Sequence, residues 1–264
     1  MLKKMSKKYD RVHPPLIERL LAEEGHKKGP DSVKAVKTKL HQIYGAYTQD
    51  NAHKKAAKLL DEMQSIEGID STQHPYTEIA NKLLSLHAST KERLPCYSEF
   101  YDFILEHTGQ IESILDIGCG YNPFSIPLIP DANLKAYYAY DIDTKTAELI
   151  NRFFIILGLP PLATCADLAI TIPQDTADIA FMCKLLPVLE AQSPGSGFRL
   201  ARGLNVRHLL ITYPLKSLGG REKGMARHYT IAFERALVEG ELGQFGLVSK
   251  KQVGQEMLYL LRID

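Results

Sequence analysis

The sequence predicts an α/β protein in which a helical N-terminal region precedes a mostly parallel β-sheet with helices on both faces. Residues 1–107 carry apolar residues at the three- and four-residue spacing of amphipathic helices. From about residue 108, short apolar runs alternate with helical stretches, which is the pattern of a parallel sheet. We therefore expect two domains, a helical one over residues 1–107 and an α/β one over residues 108–264.

The helices of the first region are predicted from their apolar faces. Three segments place the following residues on one face: Leu16, Leu20 and Leu21; Val33, Val36, Leu40 and Ile43; and Ile79, Leu83, Leu84 and Leu86. The stretch "SIEGIDSTQHP" before the third segment has the composition of a turn.

Seven apolar runs of the second region are predicted strands. In chain order they are "SILDI", "AYYAY", "LATCA", "ADIAFMC", "HLLITY", "GLVSK" and "EMLYLLR". The segment "TKTAELINRFFIILG" between the second and third runs is a predicted helix. Only "KQVGQ" separates the last two runs, so we expect a terminal hairpin that adds one antiparallel strand to the sheet.

The composition is that of an ordinary globular protein, with 45% hydrophobic and 24% charged residues. The four cysteines lack metal-binding spacing, so we expect reduced thiols and no metal site. No apolar run approaches the roughly 18 residues of a membrane span, and the basic N-terminus lacks the apolar core of a secretory signal. These features favour a cytoplasmic protein that does not enter a membrane.

The charge is unevenly distributed along the chain. The net charge is +1, yet residues 1–60 contain fourteen lysines and arginines and only six acidic residues. Such a region suits a polyanionic partner. On charge alone, a solvated, lysine-rich helical surface is the alternative.

The stretch "SILDIGCGYNPF" (113–124) points to a ligand at the end of the first strand. Gly118 and Gly120 allow close approach to the backbone, but the third glycine of a dinucleotide fingerprint is missing. Asp116 suits a cationic amino group, Asp141 at the end of the second strand suits ribose hydroxyls, and Asp167 suits an adenine amino group. This order predicts S-adenosylmethionine, although Asp116 and Asp167 are also explained as ordinary residues at strand ends.

Longer strings resemble the Arm/Rmt family of aminoglycoside-resistance methyltransferases from about residue 33 onward. They are "LHQIYGAY" (40–47), "LHASTKERL" (86–94), "YDFIL" (101–105), "LDIGCGYNP" (115–123), "KLLPVLE" (184–190) and "YPLKSLGGREKGM" (213–225). The resemblance implies a class I S-adenosylmethionine-dependent methyltransferase fold with a seven-stranded, mostly parallel sheet. It implies methylation of N7 of a decoding-site guanine, position 1405 in standard numbering, in 16S rRNA of the assembled 30S subunit, which confers aminoglycoside resistance.

The resemblance also implies a set of cofactor-binding residues. Beside Asp116, Gly118, Gly120, Asp141 and Asp167, the set comprises Tyr47, His87, Ser89, Arg93, Leu168, Lys184 and Gln192. Arg93 is expected to pair with the cofactor carboxylate. Locally, Ser89 to Glu92 also form a capping box, which predicts a helix from there to about His107.

The contacts to the target are expected from three places in the chain. Lys34, Lys37 and Lys39 are the predicted RNA contacts of the helical region, and the positioning candidates are Lys184, Lys216, Arg221, Lys223 and Met225. We expect no acid–base residue, because N7 of guanine carries a free lone pair, and we expect the base to be extruded from the RNA helix.

Three alternatives to this reaction can be weighed on the sequence. A small-molecule methyltransferase needs no extended basic face. A non-catalytic ribosome-binding factor on a methyltransferase fold has no need of the intact Asp116, Asp141 and Asp167. A nicotinamide-dependent oxidoreductase is disfavoured by the missing third glycine.

Overall fold

The computed structural model describes residues 9–24, 30–45, 47, 51–66, 75–215 and 225–263. Its strands are β1 (Ser113–Ile117), β2 (Ala136–Asp141), β3 (Ala163–Cys165), β4 (Thr176–Cys183), β5 (Asn205–Pro214), β6 (Phe245–Val253) and β7 (Glu256–Ile263). They form one seven-stranded sheet in the order β3-β2-β1-β4-β5-β7-β6, in which β7 runs opposite to the other six strands. The predicted α/β class and the terminal hairpin are confirmed. The connection is shorter than predicted, because β6 continues to Val253 and only Gly254 and Gln255 form the turn.

The helices surround this sheet. They are α1 (Pro14–Glu23), α2 (Pro30–Leu40), α3 (Ala52–Gln64), α4 (Tyr76–Leu84), α5 (Ala88–Arg93), α6 (Tyr97–Thr108), α7 (Thr144–Ile156), α8 (Leu186–Gln192), α9 (Ser196–Arg202) and α10 (Met225–Val238). A π-helical turn, His41–Gly45, follows α2, and 3-10 turns occupy Leu94–Cys96 and Asn122–Leu128. No helix in the described segments is long and apolar enough to cross a bilayer.

The central strand β1 lies between β2 and β4, and its last four residues are buried. A parallel strand that is covered on both faces needs an almost continuous apolar sequence, which "SILDI" supplies except at Asp116. The chain order of the strands reverses at β1. Ligands of open α/β sheets bind outside the carboxyl ends of the strands at this switch point.

The helical region does not have a single core of its own. Residues of α3, α4 and α6 pack into the same apolar cluster as β1, β2 and β4, whereas residues of α1, α2 and the π-helical turn form a small separate cluster. The helices α3, α4 and α6 therefore share a core with the sheet. The predicted division of the chain into two domains at residue 107 stays a prediction.

The predicted long helix from Ser89 to His107 is wrong. α5 ends at Arg93, and a 3-10 turn that contains Pro95 separates it from α6. Proline lacks the N–H that a continuous helix would need at this point. Ser89 is not the helix cap either, since His87 occupies that position in extended backbone without a capping side-chain bond.

The first described residues of the chain contact the segment that follows the carboxyl end of β2. Val12 forms an antiparallel bridge with Asp143, the His13 N–H donates to the Ile142 carbonyl oxygen at 2.8 Å, and the Thr144 N–H donates to the Arg11 carbonyl oxygen at 3.0 Å. Asp143 also caps α7 by accepting from the N–H groups of its first turn. This N-terminal clamp therefore joins residues 11–13 to the junction of β2 and α7.

Candidate active site

A pocket lies at the carboxyl ends of β1, β2 and β4, and the N-terminal helices form its outer wall. Eleven of the twelve predicted cofactor-binding residues line it: Tyr47, His87, Ser89, Arg93, Gly118, Gly120, Asp141, Asp167, Leu168, Lys184 and Gln192. Leu16 of α1 and Tyr44 of the π-helical turn complete the wall from the opposite side. The structure thus brings together residues from Leu16 to Gln192 at the switch point of the sheet.

The loop after β1 needs both of its glycines. Gly118 and Gly120 have φ values of +67° and +51°, in the left-handed region that favours glycine. Space is equally restrictive, since a Cβ atom on Gly120 would lie 2.9 Å from Cε1 of His87 and one on Gly118 would lie 2.7 Å from Cδ1 of Leu185. The Gly120 N–H donates to Asp141 Oδ2 at 2.8 Å, which ties this loop to the end of β2.

Asp116 lies behind the pocket wall. It is fully buried, and its Oδ2 accepts from Asn122 Nδ2 at 2.8 Å and from the Tyr137 hydroxyl at 2.7 Å. Its Oδ1 is buried without a protein partner, and burial raises the pKa of the carboxyl to about 6. Asn122 lines the pocket in front of it, so contact between Asp116 and a ligand's amino group stays a prediction.

Asp141 ends β2 at the pocket. Its Oδ2 accepts from Gly120, and its Oδ1 accepts from the N–H of Asp143 at 2.9 Å. Burial, reinforced by the nearby charge of Asp143, raises the pKa of Asp141 to about 6. Each carboxylate oxygen has a second lone pair, so the side chain can accept two further hydrogen bonds. This capacity matches the two hydroxyls of a ribose.

Asp167 and Gln192 lie at the other end of the pocket, where Arg19 of α1 holds both. Arg19 Nε donates to Asp167 Oδ2 at 2.7 Å, while Nη2 donates to Asp167 Oδ1 at 3.2 Å and to Gln192 Oε1 at 2.8 Å. Sequence reasoning did not single out Arg19. It is one charged residue on the polar face of a helix, and nothing in the sequence marks a partner 148 positions away.

Arg93 and Lys184 converge on Glu256, a residue that sequence reasoning missed. Arg93 donates to Glu256 from Nε at 3.1 Å and from Nη2 at 2.8 Å, and its Nη1 donates to Asn122 Oδ1 at 2.8 Å. Lys184 Nζ lies 2.6 Å from Glu92 Oε2 and 3.3 Å from Glu256 Oε1. Burial opposes ionisation of Glu256, but the two cations outweigh it and hold the pKa of this carboxyl below its ordinary value.

A signal for Glu256 was present in the predicted topology. β7 runs antiparallel to β5, and Glu256 at its start lies opposite Pro214 at the end of β5. The first residue of a reversed strand therefore reaches the same edge as the last residues of the parallel strands. An acidic residue at the start of "EMLYLLR" was for this reason a candidate for the site.

His87 stands in a column of aromatic rings. Its imidazole stacks against Tyr121, with centroids 5.5 Å apart, and against Tyr47, with centroids 6.1 Å apart. Burial, assisted by the charge of Lys184, lowers the pKa of His87 to about 4, so the ring is neutral at physiological pH. Its Nδ1 and the Tyr121 hydroxyl are both buried without a protein partner.

The sequence matches the family described as ribosomal RNA methyltransferase (FmrO) over residues 5–245. The chain belongs to this family. The resemblance to the Arm/Rmt enzymes is thereby confirmed, and so is the predicted class I methyltransferase fold.

Two relatives of this FmrO-family chain match nearly its whole length. A protein of Proteus mirabilis is 32% identical over 97% of this chain and 93% of its own length, and one of Serratia marcescens is 33% identical over 97% and 94%. Both are named 16S rRNA (guanine(1405)-N(7))-methyltransferase.

Solved structures of the 16S rRNA methyltransferases RmtF and RmtB are also similar to the FmrO-family chain. RmtF, in complex with S-adenosyl-L-homocysteine, has a TM-score of 0.82 at 32% identity and covers 97% of this chain and 93% of its own. RmtB has a TM-score of 0.80 at 31% identity over 98% and 94%. The match therefore includes the N-terminal helices as well as the sheet.

The predicted RNA contacts of this FmrO-family protein have unequal surroundings. Lys34 is exposed and Lys37 is half-buried on α2. Lys39 instead pairs with Glu24 Oε1 at 2.9 Å and with Glu23 Oε2 at 3.1 Å, which ties α2 to α1. Lys39 is therefore already engaged within the protein.

The positioning candidates near the end of β5 fall outside what the structure describes. Lys216, Arg221 and Lys223 lie between the described segments, and Met225 is the first residue of α10, with a side chain that is not described. Their roles stay predictions. Lys184 is the positioning candidate whose place is known, at the end of β4 and in the pocket wall.

Replacing Gly120 with alanine is expected to weaken cofactor binding in this FmrO-family protein. A positive φ costs an alanine about 1–2 kcal/mol, and the added Cβ would also displace the His87 ring from the pocket wall. Gly158→Ala is the control, because Gly158 has a φ of +72° but open space around it. Calorimetric titration with S-adenosylmethionine should show weaker binding in Gly120→Ala but not in Gly158→Ala. Equal affinities in the two variants would contradict the steric explanation.

Proposed function

We propose that the protein transfers a methyl group from S-adenosylmethionine to N7 of guanine 1405 in 16S rRNA. The observation that carries this proposal is the nearly full-length match to relatives of that name, in a chain with a pocket at the switch point of the sheet that is lined by Asp141, Asp167 and Lys184. The target places the reaction on the small ribosomal subunit, and hence in the cytoplasm.

The pocket fits the functional groups of S-adenosylmethionine. Asp141 has acceptor capacity for the ribose hydroxyls, and Asp167 and Gln192 lie where the adenine would be read. Arg93 and Lys184 line the pocket and share Glu256, and they are the predicted partners of the cofactor carboxylate. The unpartnered Oδ1 of Asp116 suits an amino group or the water that bridges to it. The residues present therefore support the predicted cofactor.

The methyl transfer requires little proton transfer by the protein. S-adenosylmethionine supplies an electrophilic methyl group on a sulfonium, and N7 of guanine has an unprotonated lone pair. Alignment of the two reactants can by itself account for several kcal/mol of barrier lowering, on the order of 7–11 in favourable cases. His87 is held neutral by burial, so it adds no positive charge to a pocket that must accept a sulfonium.

The target guanine presents a harder problem of access. N7 faces the major groove, which in A-form RNA is too deep and narrow for side chains to read. We infer that the base is extruded into the mouth of the pocket, with Lys184, Lys216, Arg221, Lys223 and Met225 as the candidates that hold it. The assembled 30S subunit supplies the RNA shape that the helical region recognises.

Charge reversal on α2 is expected to weaken docking on the ribosomal subunit. The double variant Lys34→Glu, Lys37→Glu removes two phosphate-binding cations, so subunit affinity and its dependence on salt should both fall. Lys39 is left intact because it pairs with Glu23 and Glu24. Filter binding at several salt concentrations measures the effect.

The control for this variant carries the same charge change at the opposite edge of the sheet. Lys135 precedes β2, and Arg207 lies near the start of β5, both far from the carboxyl ends of the strands. The double variant Lys135→Glu, Arg207→Glu should bind subunits almost normally. Equal losses in both double variants would show a non-specific effect of net charge.

The direct test uses purified protein, S-adenosylmethionine and small subunits from a susceptible bacterium. We expect methylation at guanine 1405, detected by mass spectrometry of RNase fragments, and aminoglycoside resistance when the protein is expressed in that bacterium. Cofactor binding without any methylation of subunits would instead favour a non-catalytic ribosome-binding factor. Methylation of a small molecule alone would favour the other alternative.

A further inference from the structure

Arg19 belongs to the helical region but holds two residues of the pocket wall, Asp167 and Gln192. Its side chain is only 14% exposed, and it reaches from α1 to the carboxylate of Asp167, which is 4% exposed. Leu16, one turn earlier on the same helix, lines the pocket as well. α1 is therefore a structural part of the pocket in addition to any role in docking.

The contact fixes two side chains in one arrangement. Nε and Nη2 of Arg19 engage both oxygens of Asp167, and the N–H of Ala169 donates to Asp167 Oδ1 at 3.2 Å. Arg19 also holds Gln192 Oε1, so that Gln192 Nε2 points to the carbonyl oxygen of Val188 at 3.3 Å. A buried carboxylate must have hydrogen-bond partners, and these contacts hold Asp167 in one orientation in which Oδ2 can accept a further hydrogen bond.

We propose that Arg19 is a positioning residue that makes the pocket selective for the 6-amino group of adenine. Arg19 keeps Asp167 as a fixed acceptor, which favours a donor at position 6 of a purine and disfavours a carbonyl there. The proposal rests on the proposed function only in that Asp167 receives the adenine amino group. Arg19 acts through Asp167 and Gln192, and the reacting methyl group is not its partner.

The test compares two ligands whose purines differ on the edge that carries position 6. S-adenosylhomocysteine has an amino group at position 6 and an unprotonated N1, whereas its deaminated analogue S-inosylhomocysteine has a carbonyl at position 6 and a proton on N1. Calorimetric titration gives the affinity of each ligand for the full chain and for Arg19→Met. We expect Arg19→Met to reduce the preference for S-adenosylhomocysteine by about tenfold to a hundredfold, the usual effect of losing a hydrogen bond to a charged group.

The chain offers a matched control for the loss of an arginine. Arg152 of α7 also holds a carboxylate and an amide of an N-terminal helix, Asp61 Oδ1 at 2.7 Å and Gln64 Oε1 at 2.9 Å, but it lies outside the pocket. Arg152→Met should leave the preference between the two ligands unchanged. Thermal unfolding of the ligand-free variants shows how far each arginine also stabilises the fold.

Two results would overturn the proposal. An unchanged preference in Arg19→Met, with or without a general loss of affinity, would reduce Arg19 to a structural contact. If Arg19→Met does not fold, the preference between the two ligands is measured in Arg19→Lys instead. Lysine keeps the positive charge but cannot engage both oxygens of Asp167 as the guanidinium does, so an unchanged preference in Arg19→Lys would also overturn the proposal. The variant Asp167→Asn tests whether Asp167 contacts the adenine at all. An unchanged preference in Asp167→Asn would show that it does not, and this result would leave the proposed methylation unaffected.

Discussion

Glu256→Ala is expected to lower the free energy of unfolding by about 3–5 kcal/mol, the usual cost of removing one partner from a buried ion pair. Glu256 is 3% exposed and receives hydrogen bonds from Arg93 and from the Thr212 hydroxyl. Without it, Arg93 keeps only the neutral Asn122 and Lys184 keeps only Glu92 at the rim of the pocket. Urea denaturation measures the loss.

The control is an ion pair of the same charges on the surface. Glu112 pairs with Lys135 at 2.6 Å, but both side chains are largely exposed. Exposed pairs contribute about 0–1 kcal/mol, so Glu112→Ala should have little effect. A loss of the same small size in Glu256→Ala would contradict the idea that Glu256 balances the buried cations.

The contribution of Glu256 should also depend on pH. Arg93 and Lys184 lower its folded-state pKa below the ordinary value of 4.5. A carboxyl with a lowered pKa contributes its full stability above the unfolded-state value and loses it as the pH falls through the folded-state value. The stability difference between the natural protein and Glu256→Gln should therefore be constant near neutral pH and shrink below about pH 4.5.

Asp141→Ala is expected to weaken binding of S-adenosylmethionine by about a hundredfold or more, because two charge-assisted hydrogen bonds to the ribose are lost and each contributes roughly 1.5–3 kcal/mol. The change also frees the N–H groups of Gly120 and Asp143, which Asp141 holds at 2.8 Å and 2.9 Å. The glycine loop would then lose its link to β2. Calorimetric titration of the folded variant measures the affinity.

The control is a carboxylate with a similar structural task away from the pocket. Asp178 Oδ2 accepts from the N–H groups of Glu112 and Ser113, both at 2.9 Å, near the start of β1. Asp178→Ala should reduce stability but leave cofactor affinity unchanged. If Asp141→Ala binds the cofactor as well as Asp178→Ala does, Asp141 does not hold the ribose.

The sequence was informative where local pattern determines structure. The strands are short apolar runs between breakers, and parallel pairing places their carboxyl ends at one edge, so Asp141, Asp167 and Lys184 could be placed there in advance. A local signal can also mislead. Ser89 and Glu92 have the spacing of a capping box, but Pro95 ends α5 after six residues and His87 takes the cap position.

The contacts of Arg19 and Asn122 could not be predicted, whereas Glu256 could have been placed at the site from the predicted terminal hairpin. Arg19 is a helix residue of ordinary appearance, and its contact with Asp167 depends on how α1 packs against the sheet. Glu256 becomes part of the site because β7 is reversed and starts at the pocket edge. Asn122 joins Arg93 to Asp116 from a 3-10 turn, which has no periodic sequence pattern.

The N-terminal clamp cannot form during translation until the start of α7 has been made. Arg11 leaves the ribosome early, but its partner Thr144 lies 133 residues later in the chain. At a synthesis rate of about 5–20 residues per second, the clamp residues wait on the order of ten seconds for the second strand. Leu16 and Tyr44, which close the pocket, wait with them. Lys184 and Gln192 are made later still, so a nascent chain that ends before Gln192 lacks part of the pocket wall that holds the cofactor.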